Sequence, residues 1–175
     1  MRWDKRFIFF GLTALLLLSC GQKGPQSPSQ RMGESPKPDS AQLALMEFNR
    51  QMAETADKTL KQLVQAQKEP YALYEGSTWV TILEHGDIDN PQPKRGEEWM
   101  VHMRIFTLEG RLLEDTKGTY TIGKLELPYA VDANITEWHR HCHIRLYAPW
   151  YSAFGMKGTE EIPPYENVII ELDLE

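Results

Sequence analysis

The sequence predicts an α+β domain: an antiparallel β-sheet wrapped around one short helix, preceded by a long amphipathic helix. Three observations carry that prediction. Between Ser40 and Pro70 there is neither glycine nor proline, and apolar residues recur there at helical spacing. From Tyr71 onward the pattern turns to short β-rich runs divided by glycine-bearing turns. A second stretch of helical spacing, Leu127 to Trp138, stands between the early and the late strands.

The chain opens on an export signature over residues 1–19. Arg2, Lys5 and Arg6 precede an apolar run, Phe7 to Leu18, too short for the roughly twenty residues of a membrane-spanning helix and suited to a secretory signal. Leu17-Leu18-Ser19-Cys20 resembles the bacterial lipobox, which makes Cys20 the acylated first residue of a mature lipoprotein. Several acyl chains on one cysteine anchor stably where a single chain does not. Gly21 and Gln22 supply no acidic retention residue, so the expected location is the cell envelope, at the outer membrane and facing the periplasm. Loss of residues 1–19 takes the net charge from −6 to −8. An acidic chain without a basic stripe argues against nucleic acid as a partner. Cys142 is then the one free thiol, so stability must come from a core rather than a disulfide.

Residues 20–40 are rich in Pro, Gly, Ser and Gln and read as a flexible tether reaching ~25 Å. The amphipathic helix follows over 41–69, with Ser40 as the expected N-cap and Leu45, Phe48, Met52, Ala56, Leu60 and Leu63 as its stripe. That stripe either packs on its own domain or pairs with a second copy, which makes a homodimer through 41–68 the alternative. Residues 70–175 form the globular part. Trp79 to Leu83 reads as its first strand and Trp99 to Phe106 as its second. Leu108-Glu109-Gly110-Arg111 reads as a hairpin turn, and a strand follows at about Thr119–Ile122. Leu127–Trp138 is the short helix, and alternation from Cys142 to Ala148 and from Val168 to Leu172 gives the last strands. There is no internal repeat.

Over roughly 76–175 the chain resembles the FKBP-type peptidyl-prolyl cis-trans isomerases. The residues that carry the resemblance are Gly76 to Leu83 with Gly86, then Pro93-Lys94-Arg95-Gly96, Val101-His102 and Leu108-Glu109-Gly110. They continue with Leu146-Tyr147-Ala148-Pro149, Ala153-Phe154-Gly155, Ile162-Pro163-Pro164 and the strand ending in Glu171-Leu172. The resemblance implies prolyl isomerase or chaperone activity on proline-containing envelope polypeptides, with no cofactor. It implies catalytic positions at Met103, Leu113, Glu114, Val131, Phe154 and Ile162, and substrate-binding positions at Glu126, Leu127, Pro128 and Ile170. It also fits lipid-anchored members with an N-terminal dimerisation helix.

Isomerising an Xaa-Pro bond requires no nucleophile. It requires a dry apolar cavity for the twisted amide and one or two hydrogen-bond donors, against a barrier of about 18–20 kcal/mol. Several positions depart from the family pattern. Met103 and Phe154 stand where the family has tyrosines, Leu113-Glu114 where it has Phe-Asp, and Val131 where it has the tryptophan of the pocket floor. Pro128, at a position whose main-chain N–H normally meets the ligand, has no N–H. The resemblance therefore implies a degraded site with weak turnover, or an inactive binding or assembly module. His139, His141 and His143 alternate beside Cys142; on an extended segment they would share one face, a conceivable zinc or copper site or else a solvated polar face. No serine-nucleophile motif is present, and Asn134-Ile135-Thr136 is an incidental sequon. Trp150, Tyr151 and Tyr165 flank the pocket-side loops and either widen a peptide surface or cap the fold's edge.

Overall fold

The computed structural model describes residues 38–86, 88–89 and 91–175. The export signal, Cys20 and the tether up to residue 37 lie outside the described residues.

Helix α1 spans Ser40–Gln65. Its N-terminus is closed by Asp39 rather than Ser40. The Gln42 N–H donates to Asp39 Oδ1 at 2.8 Å, and the Asp39 N–H donates back to Gln42 Oε1 at 3.1 Å, a reciprocal cap. The buried face is Ala56, Leu60 and Val64. Leu60 and Val64 form a cluster with Tyr147, flanked by Leu63, Tyr71, Trp79, Leu108 and Ile169, so this half of the helix packs on its own domain. Leu45 (54% exposed) and Phe48 (49%) are not part of that face. Leu43 and Met46 are exposed beside Leu45, and Phe48 keeps an edge contact with Tyr165 of the same chain.

Six strands follow: β1 (Ala72–Tyr74), β2 (Thr78–Glu84), β3 (Glu98–Thr107), β4 (Leu112–Thr121), β5 (His143–Ala148) and β6 (Val168–Leu174). They form one antiparallel sheet in the order β1-β2-β5-β6-β3-β4. The β3–β4 hairpin closes where the Gly110 N–H donates to Thr107 O at 2.9 Å. Gly110 has φ +87°, a conformation that favours glycine. β4 begins far earlier than the apolar pattern indicated, and its register slips between Ile105–Glu114 and Phe106–Leu112. Leu113 is the extra residue of that bulge.

Alternation assigns the two faces of the sheet. Val101, Met103, Ile105, Ile144, Leu146, Val168, Ile170, Leu172 and Leu174 are buried on the inner face. The cross-strand row Trp79–Tyr147–Ile169 lies on the outer face, under α1. The continuous helix expected over 127–138 is instead one α-turn, α2 (Tyr129–Asp132), and a 3-10 turn, Ile135–Glu137. Ala130, Val131, Ile135 and Trp138 of these turns join the inner core. Between them Asn134 is buried: its Nδ2 donates to Ala130 O at 2.9 Å and Glu75 O at 3.2 Å, and its Oδ1 accepts from the Glu75 N–H at 3.1 Å. With its amide so engaged, the sequon has no free acceptor. Cys142 also lies in the core, and burial pushes its thiol up to about 11, which keeps it unreactive at neutral pH.

Two substitutions in α1 separate the buried face from the exposed one. Leu60→Ala removes a fully buried side chain and should cost about 2–4 kcal/mol in urea unfolding. Leu45→Ala should change stability by less than about 0.5 kcal/mol. Equal losses would place the helix against a different surface.

Candidate functional site

A groove of about 460 Å³ is formed by three segments. The β3–β4 hairpin supplies Met103, Glu114, Thr116 and Tyr120; the segment before α2, with its first residue, supplies Leu125 to Tyr129; the loop after β5 supplies Ala153, Phe154 and Thr159. Strand geometry sets the first wall. Met103 and Thr116 are cross-strand partners, and Glu114, Thr116 and Tyr120 alternate along one face of β4.

The second wall is held by side-chain bonds to the main chain. Buried Asp132 accepts the Gly123 N–H at 2.8 Å, and Glu126 accepts the Thr121 N–H at 2.7 Å. Leu125 has φ +57° and is 65% exposed at the rim. A bulky residue in that conformation is held by its surroundings. The Tyr129 hydroxyl donates to Glu75.

The third wall is fastened from two directions. The Ala130 N–H donates to Ser152 O at 2.7 Å, tying the loop to α2. Helix α1 holds its far side. Tyr165 Oη donates to Asn49 Oδ1 at 2.8 Å, Asn49 Nδ2 to Met156 Sδ at 3.1 Å, and Tyr151 Oη to Asp57. Burial, then the Asp57 carboxylate, pushes the Tyr151 hydroxyl up to about 12. Trp150 packs edge-on against Tyr165 at 4.8 Å and Tyr151 at 5.4 Å, and Phe48 against Tyr165 at 5.7 Å. These aromatic residues therefore brace the loop rather than line the groove. Gly158, φ +65°, closes the loop tip, where a Cβ would meet Ile162 O at 2.0 Å.

Six residues singled out in the sequence meet here: Met103, Glu114, Glu126, Leu127, Pro128 and Phe154. Four do not. Val131, Ile162 and Ile170 are fully buried beneath the surface, and Leu113, in the bulge, packs on the core. The recess is consequently shallower than a pocket floored by Val131. Thr116, Tyr120, Leu125, Tyr129, Ala153 and Thr159 line it in addition. The Thr116 hydroxyl is buried without a protein partner, and Tyr120, Tyr129 and Thr159 bring further hydroxyls to the lining. The alternation Glu114, Thr116, Tyr120 would have pointed to the first two, had β4 been legible from Leu112.

The three histidines do not share a strand face. His139 and His141 lie in the turn before β5, His141 with φ +64°, and only His143 is on the strand, against Asp173. Among the described residues no group of three or more His, Cys, Asp or Glu side chains is placed to hold a metal ion.

No protein-family model and no curated protein matches the chain. In fold it is similar to the crystal structure of a peptidyl-prolyl cis-trans isomerase from Pseudomonas syringae pv. tomato str. DC3000. The TM-score is 0.58 at 16% identity, over 70% of this chain and 92% of that one. At that identity the likeness is one of fold: the chain carries a peptidyl-prolyl isomerase-like fold.

The α1 anchor of the third wall can be cut at one atom. Tyr165→Phe should cost about 1 kcal/mol and raise amide hydrogen exchange across residues 150–166 while leaving β3 and β6 protected. Unchanged exchange in the loop would show that the hydroxyl does not hold it.

Proposed function

We propose that the groove binds proline-containing segments of cell-envelope polypeptides and isomerises their Xaa-Pro bonds slowly, in the manner of an FKBP-type peptidyl-prolyl isomerase with a degraded site. The observation that supports this reading most is the convergence of Met103, Leu127, Pro128 and Phe154 on one recess in a chain of isomerase-like fold. Catalysis needs apolar contact with the prolyl ring and a donor toward the twisted amide, at a barrier of about 18–20 kcal/mol. The apolar walls meet the first need. For the second, Pro128 contributes no N–H and Phe154 no hydroxyl, which leaves side-chain hydroxyls of the lining such as that of Tyr120. Slow turnover follows from that substitution of donors. No cofactor enters the reaction.

A second reading has its own support. Val131, Ile162 and Ile170 lie beneath the surface, so a peptide would rest on the groove rather than sink into it, as suits a binding or assembly module without turnover. A protease-coupled assay on Xaa-Pro peptides separates the two. Rates above background, falling roughly tenfold (about 1.4 kcal/mol) in Phe154→Ala, support the enzyme. Background rates with retained peptide binding support the module, and the absence of both rejects the groove as a prolyl site.

The envelope setting rests on the lipobox-like Leu17-Leu18-Ser19-Cys20. Cys20→Ala should move the protein from the membrane fraction to the soluble fraction; continued membrane association would reject acylation at this residue as the anchor.

A further inference from the structure

Resting on that reading, we infer that the groove selects prolyl segments with a lysine or arginine beside the proline, through Glu114 and Glu126. The two carboxylates stand on different walls of the groove, one on β4 and one on the segment before α2, and none of the lining residues is Lys, Arg or His. Glu126 is oriented by the Thr121 N–H at 2.7 Å, which fixes its carboxylate without cancelling its charge. Glu114 is half-buried and has no ion pair among the described residues.

The contrast with its strand neighbours is informative. On the other face of β4, Asp115 contacts His102 at 2.7 Å and Lys117 contacts Glu175 at 2.6 Å. Further across the sheet, Glu171 is matched by Arg145 at 2.7 Å and Arg104 at 3.2 Å. Glu175 and Glu171 thus have Lys or Arg within reach, whereas Glu114 and Glu126 have no ion pair among the described residues. A third carboxylate, Glu75, accepts from the groove residue Tyr129, whose hydroxyl also feels the charge of Arg95.

A cationic residue next to proline fits both halves of the groove. The prolyl ring covers Met103, Leu127 and Phe154, the aliphatic stem of lysine or arginine lies on apolar rim surface such as Leu125, and the charged end meets a carboxylate. The Tyr120 and Tyr129 rings offer the cation further favourable faces. Because the rim is solvated, the preference is modest and sensitive to salt.

The test uses the mature protein and three blocked peptides that differ only in the residue before proline: lysine, leucine or glutamate. Affinities are read by calorimetry at low and high sodium chloride. The lysine peptide should bind roughly three- to tenfold tighter than leucine at low salt, glutamate weakest, with the spread closing at high salt. In Glu114→Gln and Glu126→Gln the lysine-to-leucine ratio should fall toward one. Equal affinities in the wild type, or a ratio that survives both substitutions, would overturn the charge preference while leaving the prolyl groove standing. If no peptide binds, or binding ignores Phe154→Ala, the groove reading itself falls and takes the preference with it. The salt dependence is measured on the wild-type protein and does not rely on any variant folding.

Discussion

Strand β6, last in the sequence, bonds to β5 along one edge and to β3 along the other. It pairs Val168–Leu174 with Thr107–Val101 and Val168–Asp173 with Ala148–His143. The residues that close the chain therefore sit in the middle of the sheet, and Val168, Ile170, Leu172 and Leu174 are essentially fully buried. Without this strand the β3–β4 hairpin and the β2–β5 pair would be separate pieces. The groove depends on the same junction, because one wall rises from the hairpin and another from the loop that joins β5 to β6. Contacts between such distant parts of the chain cost loop-closure entropy before they return any stabilisation, so the groove belongs to the completed fold only.

Both faces of the central strands are covered, by different means. The inner face is closed by α2 and the turns after it. The outer face is divided: α1 covers the apolar row Trp79–Tyr147–Ile169, and beyond it the exposed surface is a charge lattice. There His143 and His102 flank Asp173, and Arg145 and Arg104 flank Glu171. Opposite charges across neighbouring strands contribute a few tenths of a kcal/mol or more per pair. They also keep the uncovered part of the sheet from presenting an apolar patch. Because α1 touches the loop after β5 as well as the sheet, the element that shields the outer face also braces one wall of the groove.

What could be read in the sequence followed from periodicity. β3 and β6 alternate cleanly because each has one face on the core, and α1 shows its repeat because Ala56, Leu60 and Val64 share one face. β4 was hidden from Leu112 to Gly118 because an edge strand over a groove carries polar residues on both faces: Glu114 and Thr116 toward the recess, Asp115 and Lys117 toward solvent. The helix over 127–138 was overextended because Val131, Ile135 and Trp138 are spaced as in one helix. The Asn134 side chain, bonded to Ala130 and Glu75, sits at the break between the two short turns. The three histidines share no strand face for a related reason, since the left-handed His141 interrupts the alternation on which a shared face would depend. Half of the lining residues could not be anticipated, because a groove is made by three distant segments and no single window of sequence contains it.

The depth of the recess bears on what it can do chemically. Rate acceleration requires contacts stronger to the twisted amide than to either planar isomer. An enclosed cavity provides this by stripping water from the amide on all sides. A shallow groove leaves one side of the peptide in water, and its rim charges attract the flanking cation equally in the cis, trans and twisted forms. Such uniform attraction improves binding without lowering the barrier. On the proposed reading, a hydroxyl of the lining such as that of Tyr120 would differ in kind, because a hydrogen bond that strengthens as the amide twists lowers the barrier. On that reading, affinity and turnover would be carried by different groups in the same recess, the carboxylates and apolar walls for the first and one hydroxyl for the second.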